Sequence, residues 1–490
     1  MNYQVKINGA FVPLETARVS AIPFNRRWPG KQRQIEQSEV IDFLNFSIDE
    51  PTEIEIFPPE PVDKVEIRPK SLGIKPQITE AGTITFVLEK PAYFTIEPYG
   101  RHNALHLFAD PVSNYPVDFQ DENVMYYGPG EHEVGEIRLE SNQTLFLDEG
   151  AVVYACIKAM DADNIRILGR GILDNSRNKE QILFEANEEN NDSAVNNAVR
   201  EHTVQLEYCN GIEIDGITIR DSLVYNIRPI GCRDLHISHV KIIGCWRFNS
   251  DGIDMHNCVN VLVENCFLRT FDDSICIKGF DCYYEGDVEA AVRKAMYRNG
   301  KSYDVFQNVK IRNCTIWNDW GKSLEIGAET RAEDISNIVF EDCDIIHVTG
   351  SVLDCMNVDY ADVHDICFRN IRVEYDDRIP QPMIQRRDDH SYEQRDPDYA
   401  PAIINVEVLY HHEYSAGGIR RGKNHDILFD RIYLYGSQKP IFSFNGYSAE
   451  YATSNITIQN FHYNDEPLTE DDAYQWNVGD FCENIQLLKG

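Results

Sequence analysis

A short pattern recurs through the second two-thirds of this 490-residue chain and limits its fold more than any other feature. A polar residue is followed by alternating apolar positions, then Asn, Asp or Gly, then another apolar residue. The pattern reads GIEIDGI from 211, DLHISHV from 234, NVLVENC from 260, NVKIRNC from 308 and NIVFEDC from 337. It continues as DICFRNI from 365, DILFDRI from 426 and NITIQNF from 455, with an earlier copy, NIRILGRGI, from 164. Starts from 211 onward are separated by 23, 26, 48, 29, 28, 61 and 29 residues. The 48 is two rungs or one rung with an insert, and the 61 is one rung with a long insert. A period in the twenties combined with two-residue alternation predicts stacked β-rungs. The near absence of intervening helices excludes a leucine-rich or α-solenoid. The seventh position, held by Ile, Val, Cys or Phe, would face its equivalents about 4.8 Å above and below and build an apolar ladder. A parallel β-helix is therefore expected from about Glu131 to Asn464.

Residues 1–112 read differently. TEIEIF, KVEIRP and TITFVLEKPAYFTIEPYG are alternating strands broken by Pro and Gly, which predicts a small antiparallel β-sandwich. The rest, 113–490, forms the all-β helical domain with two inserts. One, near 280–303, contains DVEAAVRKAMYR (287–298), whose apolar spacing predicts a surface helix. The other, 381–424, is long and polar and carries Arg386, Arg387, Asp388, Asp389, His390, His411, His412 and Arg420. Long loops of this kind often carry function.

Charge narrows the partners. Against 46 Lys+Arg stand 80 Asp+Glu, a formal charge of -34, which disfavours nucleic acid and acidic membrane surfaces. A long polyanion would be repelled unless a local basic pocket overrode the field. The N-terminal residues lack a basic stretch leading into an apolar one, and no 18-residue apolar run is present. The 13 cysteines are odd in number and never spaced C-x-x-C. Cys266, Cys314 and Cys343 fall on core positions, so buried thiols in a reducing compartment are expected, and with them a cytoplasmic location. A homo-oligomer is compatible with this composition.

One segment carries chemistry: NSDGIDMHNCVNVLVENCFLRTFDDSICIKG, from Asn249 to Gly279. It sets Asp251 one rung before the adjacent pair Asp272 and Asp273. Acid/base cleavage of a glycosidic bond needs one protonated carboxyl for the leaving oxygen and one carboxylate for a water. Three crowded carboxyls cannot all ionise easily, so one should keep its proton. Neither a metal nor a cofactor is required.

These motifs, N-S-D-G-I-D and then D-D-S-I-C-I-K-G, resemble the polygalacturonases, glycoside hydrolase family 28, over roughly residues 125 to 465. The resemblance implies a right-handed parallel β-helix of the pectin-lyase-like kind and an inverting hydrolase. Asp272 would be the general acid, with Asp251 and Asp273 holding and deprotonating the water. Two departures stand out. Where the family has G-H-G-L-S-I-G, this chain has Gly321, Lys322, Ser323, Leu324, Glu325, Ile326 and Gly327, so Lys322 replaces a histidine. The family's Arg-x-Lys, which holds a substrate carboxylate, should fall near 351–357, where SVLDCMN offers Asp354 and no cation.

Counted without gaps, Asp251, Glu325 and Asp354 each lie 17 residues after their rung's start, which predicts one acidic face. Such a groove suits neutral sugars better than galacturonate, with Trp246, Trp320 and Tyr360 as candidate stacking surfaces. Asn249, Lys278, Lys322, Glu325 and Asp354 are candidate orienting or substrate-binding residues. The N-terminal sandwich also makes the chain similar to the dextranase and isopullulanase family (family 49), which acts on neutral α-glucans. The expected activity is glycoside hydrolysis of an oligo- or polysaccharide without a galacturonate clamp. An α-glucan hydrolase, a non-catalytic glycan-binding β-helix and a pectate-lyase-like enzyme are the alternatives.

Overall fold

The computed structural model describes residues 2–21, 38–177, 201–247, 249–280, 296–375, 383–385, 392–394, 401–411, 415, 420–469 and 474–488. Each copy of the sequence pattern is a strand on one face of a right-handed parallel β-helix. Ile212, Leu235, Val261, Val309, Ile338 and Ile366 pair in direct succession, one per rung, and all are buried. Val261 pairs directly with Val309, and Ile366 with Ile427. Both long gaps are therefore single rungs with inserts.

The polar residue that opens each copy has a backbone reason. Asn164, Asp234, Asn260, Asn308, Asn337, Asp365, Asp426 and Asn455 all have φ between 53° and 60°, a left-handed conformation that Asn and Asp tolerate best after Gly. Their side chains also link rungs: the Asn308 amide donates to Asn260 Oδ1 at 3.0 Å and that of Asn337 to Asn308 Oδ1 at 2.6 Å. Every described cysteine is free, and Cys266, Cys314 and Cys343 are buried core residues.

Two further faces complete the helix. One runs through Lys241–Ile243, Phe267–Thr270, Thr315–Asn318 and Asp344–His347. The other, which carries the site, runs through Ile227–Ile230, Ile253–His256, Ile275–Lys278, Leu324–Ala328, Leu353–Asn357, Ile404–Val408 and Ile441–Asn445.

The first ten strands, from Gln4–Ile7 to Leu105–Pro111, form two five-stranded sheets enclosing their own apolar core. The sandwich is not wholly antiparallel, because Leu105–Pro111 pairs in parallel with Ser38–Ile48. It packs on the helix through a shared apolar patch of Val19, Phe43 and Phe108 against Ile243, Phe267 and Trp317.

The helix expected over 287–298 lies mostly outside the described residues; Met296 is helical, and the last pair, Tyr297–Arg298, is extended and pairs with Lys301–Ser302. The stretch 381–424 is not all loop, since Ile404–Val408 within it is a rung strand paired to Leu353–Asn357. Arg386, Arg387, Asp388, Asp389, His390 and His412 lie outside the described residues. Arg420 pairs with Glu333 and stacks on Tyr360. No helix among the described residues is long and apolar enough to cross a membrane.

Candidate active site

Adjacent rungs bring the three sequence-selected aspartates together. The Gly252 amide donates to the Asp273 carbonyl at 2.8 Å, and the Ser274 amide donates to the Lys322 carbonyl at 2.8 Å. Asp251, Asp273 and Lys322 therefore occupy successive rungs of one column, with Asp272 beside them. One oxygen from each of Asp251, Asp272 and Asp273 lies within 4.8 Å of the others. Asp251 and Asp272 are buried and Asp273 is partly exposed.

Different partners hold each carboxyl. Asp272 Oδ1 accepts from the Asp273 amide at 3.0 Å and Oδ2 from the Asn249 side-chain amide at 3.3 Å. Asp273 Oδ1 accepts from the Lys322 backbone amide at 2.9 Å, and its Oδ2 lies 3.6 Å from Lys278 Nζ. Asp251 is 3.6 Å from the same ammonium. The turn itself is fixed by Asn318, whose amide donates to the Asp272 carbonyl at 2.6 Å, Ser274 Oγ at 3.1 Å and the Lys322 carbonyl at 3.3 Å.

Burial and crowding separate the ionisation states. The Asp272 carboxyl is pushed well above its ordinary range by burial and by Asp273, against the pull of Lys278. Burial, Asp254 and Asp272 do the same to Asp251. Burial also pushes Asp254 upward, but Lys278, His256 and a hydrogen bond from Asp251 outweigh it, so Asp254 stays ionised below its ordinary range.

Asp254 is a member of the site that the motif contained and spacing alone did not single out. It is fully buried and forms the shortest ion pair with Lys278, at 2.9 Å. It also corrects the expected acidic face. Pairing runs Asp254–Cys276–Glu325–Asp354–Asn405, so Asp254 and not Asp251 shares the column of Glu325 and Asp354. The connection from Ile242 to Ile253 is three residues longer than that from Ile316 to Leu324, which displaces Asp251 from an ungapped count. Glu329, 3.8 Å from Lys278, was also missed, as was Asn318.

Lys322 sits among acids. Its ammonium lies 2.5 Å from Glu325 and 2.8 Å from Asp354, and the Asn405 amide donates to Asp354 at 3.0 Å. Burial and the Asp273 charge push the Glu325 carboxyl well up. Trp320 is half-buried beside the aspartates and stacked on Phe271, with ring centroids 5.5 Å apart. Trp246 is buried instead of open to a ligand: its indole N–H donates to Asp221 at 3.3 Å and Arg247 covers its ring. Tyr360 likewise packs against Arg420.

Residues 119–384 match the sequence profile of glycosyl hydrolases family 28. The chain belongs to that family. A probable polygalacturonase of Vitis vinifera is 27% identical over 146 residues, which cover 28% of this chain and 26% of that relative. A polygalacturonase of Gossypium barbadense is 24% identical over 233 residues, 45% of this chain and 53% of the relative. The match thus spans between about a quarter and a half of these relatives' length. In fold, the chain is similar to Dex49A from Penicillium minioluteum, with a TM-score of 0.61 and 14% identity, covering 96% of this chain and 89% of that one.

Proposed function

We propose that this chain hydrolyses O-glycosidic bonds of an oligo- or polysaccharide with inversion of configuration, and that the sugar beside the bond carries no carboxylate. The observation that carries the reading is the division of labour among adjacent carboxyls. Asp272 is buried beside Asp273, which outweighs the amides of Asn249 and Asp273 that donate to it, and it keeps its proton, as a general acid must near neutral pH. Asp273 is the more open carboxylate and lies against the Lys278 ammonium. It takes the proton of the attacking water, which Asp251 helps to hold. Protonation of the leaving oxygen by Asp272 and attack of the water then break one C–O bond and form another, with no cofactor.

The reading on substrate rests on Lys322. Its single charge meets Glu325 and Asp354, so among the described residues Lys322 brings no surplus positive charge to this flank of the cleavage point for a uronate. Ammonium, amide and carboxyl groups at that place suit the hydroxyls of a neutral sugar. An α-glucan substrate, the second reading, draws support from the same residues.

The test is a panel of oligogalacturonides, rhamnogalacturonan fragments and isomaltose, maltose and other neutral α-linked oligosaccharides, offered to the wild type and Asp272→Asn. Neutral oligosaccharides should be cleaved, and the variant should lose about 100- to 10,000-fold in kcat while still binding. The nearest oxygens of the cluster are closer than the roughly 6.5–9.5 Å separating acid and base carboxyls in inverting enzymes, so the anomer released is read directly by proton NMR. A retained anomer overturns inversion, cleavage of galacturonides alone overturns the substrate reading, and binding without turnover marks a glycan-binding module.

A further inference from the structure

The aspartate cluster contains more acid than its chemistry uses and one buried cation at its centre. Lys278 Nζ lies 2.9 Å from Asp254, 3.6 Å from Asp251, 3.6 Å from Asp273 and 3.8 Å from Glu329. Asp272 forms no ion pair with it. The ammonium also stands 5.4 Å from the centre of the Tyr225 ring. The other titratable groups facing this point are His256, paired in register with Lys278 on the preceding rung, Cys276 on the same strand and Glu325 on the next. Only 4% of Lys278 is exposed, so water screens these interactions poorly.

The backbone explains how one lysine reaches so many acids. Ile275 and Ile277 turn into the core, leaving Cys276 and Lys278 on the outer side of the strand. Cys276 is small, and the four-carbon stem of Lys278 brings its ammonium back towards Asp273, five positions earlier.

We infer that Lys278 is a positioning residue that decides which aspartates of the cluster are ionised. It holds a charge on Asp254, pairs with Asp273, and leaves Asp272, outside its ion pairs, to hold the transferable proton. This rests on the hydrolase reading for its consequence in catalysis, though not for its effect on ionisation. The geometry sets opposite outcomes for the two partners of the shortest pair. Without the ammonium, the cluster binds an extra proton and supplies a catalytic base only at higher pH. Without Asp254, one repelling charge is gone and Lys278 serves Asp251 and Asp273 more fully, so the base ionises at lower pH.

The experiment compares the wild type with Lys278→Met, Lys278→Arg and Asp254→Asn, using whichever oligosaccharide of the panel is cleaved. In Lys278→Met the acid limb of the kcat/KM profile should move up by about one pH unit or more. Lys278→Arg should restore most of that shift, and Asp254→Asn should move the limb down. Coincident limbs, or movement of Asp254→Asn in the same direction as Lys278→Met, overturn the assignment.

Melting temperature against pH reads the same event without substrate. Extra protons bound by the folded state make stability fall as pH rises through the raised folded pKa values. Lys278→Met should therefore lose stability more steeply than the wild type between about pH 5 and 8. Parallel curves overturn the inference. If the wild type cleaves nothing, the hydrolase reading falls while the melting curves still decide the role of Lys278; if Lys278→Met does not fold, the sign of the Asp254→Asn shift decides it.

Discussion

Lys322 follows the aspartate pair by one rung, and its surroundings decide what it can do. The backbone amide of Lys322 donates to Asp273, while its ammonium joins Glu325 and Asp354. Burial lowers its proton affinity, yet Asp354, Glu325 and Asp273 together raise it well above the ordinary lysine range, so it stays charged and does not shuttle protons. Lys322→Met would leave two buried carboxyls without their cation, a change that costs about 3–5 kcal/mol when no proton compensates. Glu325, already raised, would take up a proton. Its raised folded pKa favours the folded state at acid pH, and that contribution is lost as pH rises. The loss of melting temperature should therefore be larger at pH 8 than at pH 5; an equal loss at both would show that Glu325 does not compensate. Asp251, Asp272 and Asp273 were legible in the sequence because their rung spacing is regular. Asp254 was not, because its place beside Lys278 depends on a connection three residues longer than that from Ile316 to Leu324, which an ungapped count cannot register.

At the scale of elements, the turn from Asn318 to Lys322 is the piece that holds the carboxyls. Asn318 bonds to both sides of it, and Gly321 lies so close to the preceding rung that a Cβ there would come within 2.4 Å of the Asp272 carbonyl carbon and the Asp273 nitrogen. Both are backbone atoms and have no rotamer to escape into. Gly321→Ala should push the two aspartates out of line, lowering kcat by at least about tenfold and stability by about 1–3 kcal/mol. Thermal melts and single-substrate kinetics check this, and unchanged kcat would mean that the turn tolerates displacement. The ladder strands were readable because each opens with an Asn, Asp or Gly in a left-handed conformation. The site-bearing strands have no such marker. INVEV, at Ile404–Val408, carries only a short apolar alternation and so passed for part of a loop.

Arg68, Arg101, Lys241 and Arg269 are buried cations where the sandwich meets the helix, although the chain as a whole is strongly acidic. Arg68 of the sandwich pairs with Glu97 of its own domain and Glu374 of the helix, and Arg101 pairs with Asp319. Burial outweighs Arg68 at Glu374 and lifts that carboxyl to about 7. None of this was legible beforehand, because Arg68 and Arg101 sit in ordinary alternating strands and only docking shows which acids they meet. Asp319 lies next to Asn318 and accepts from the Trp317 indole at 2.9 Å, so the sandwich grips the turn that positions the aspartates. A chain beginning at residue 113 would uncover Ile243, Phe267, Trp317 and Ile346 and strip Asp319 of Arg101. Exposing such an apolar face favours association, and the loosened turn would misplace the carboxyls. The truncated protein should therefore aggregate or melt at least about 10 °C lower, and any soluble fraction should lose kcat more than substrate affinity. A monomeric fragment with the full protein's melting temperature and kcat would instead make the sandwich an appendage, and the Arg101–Asp319 pair a contact without consequence for the site.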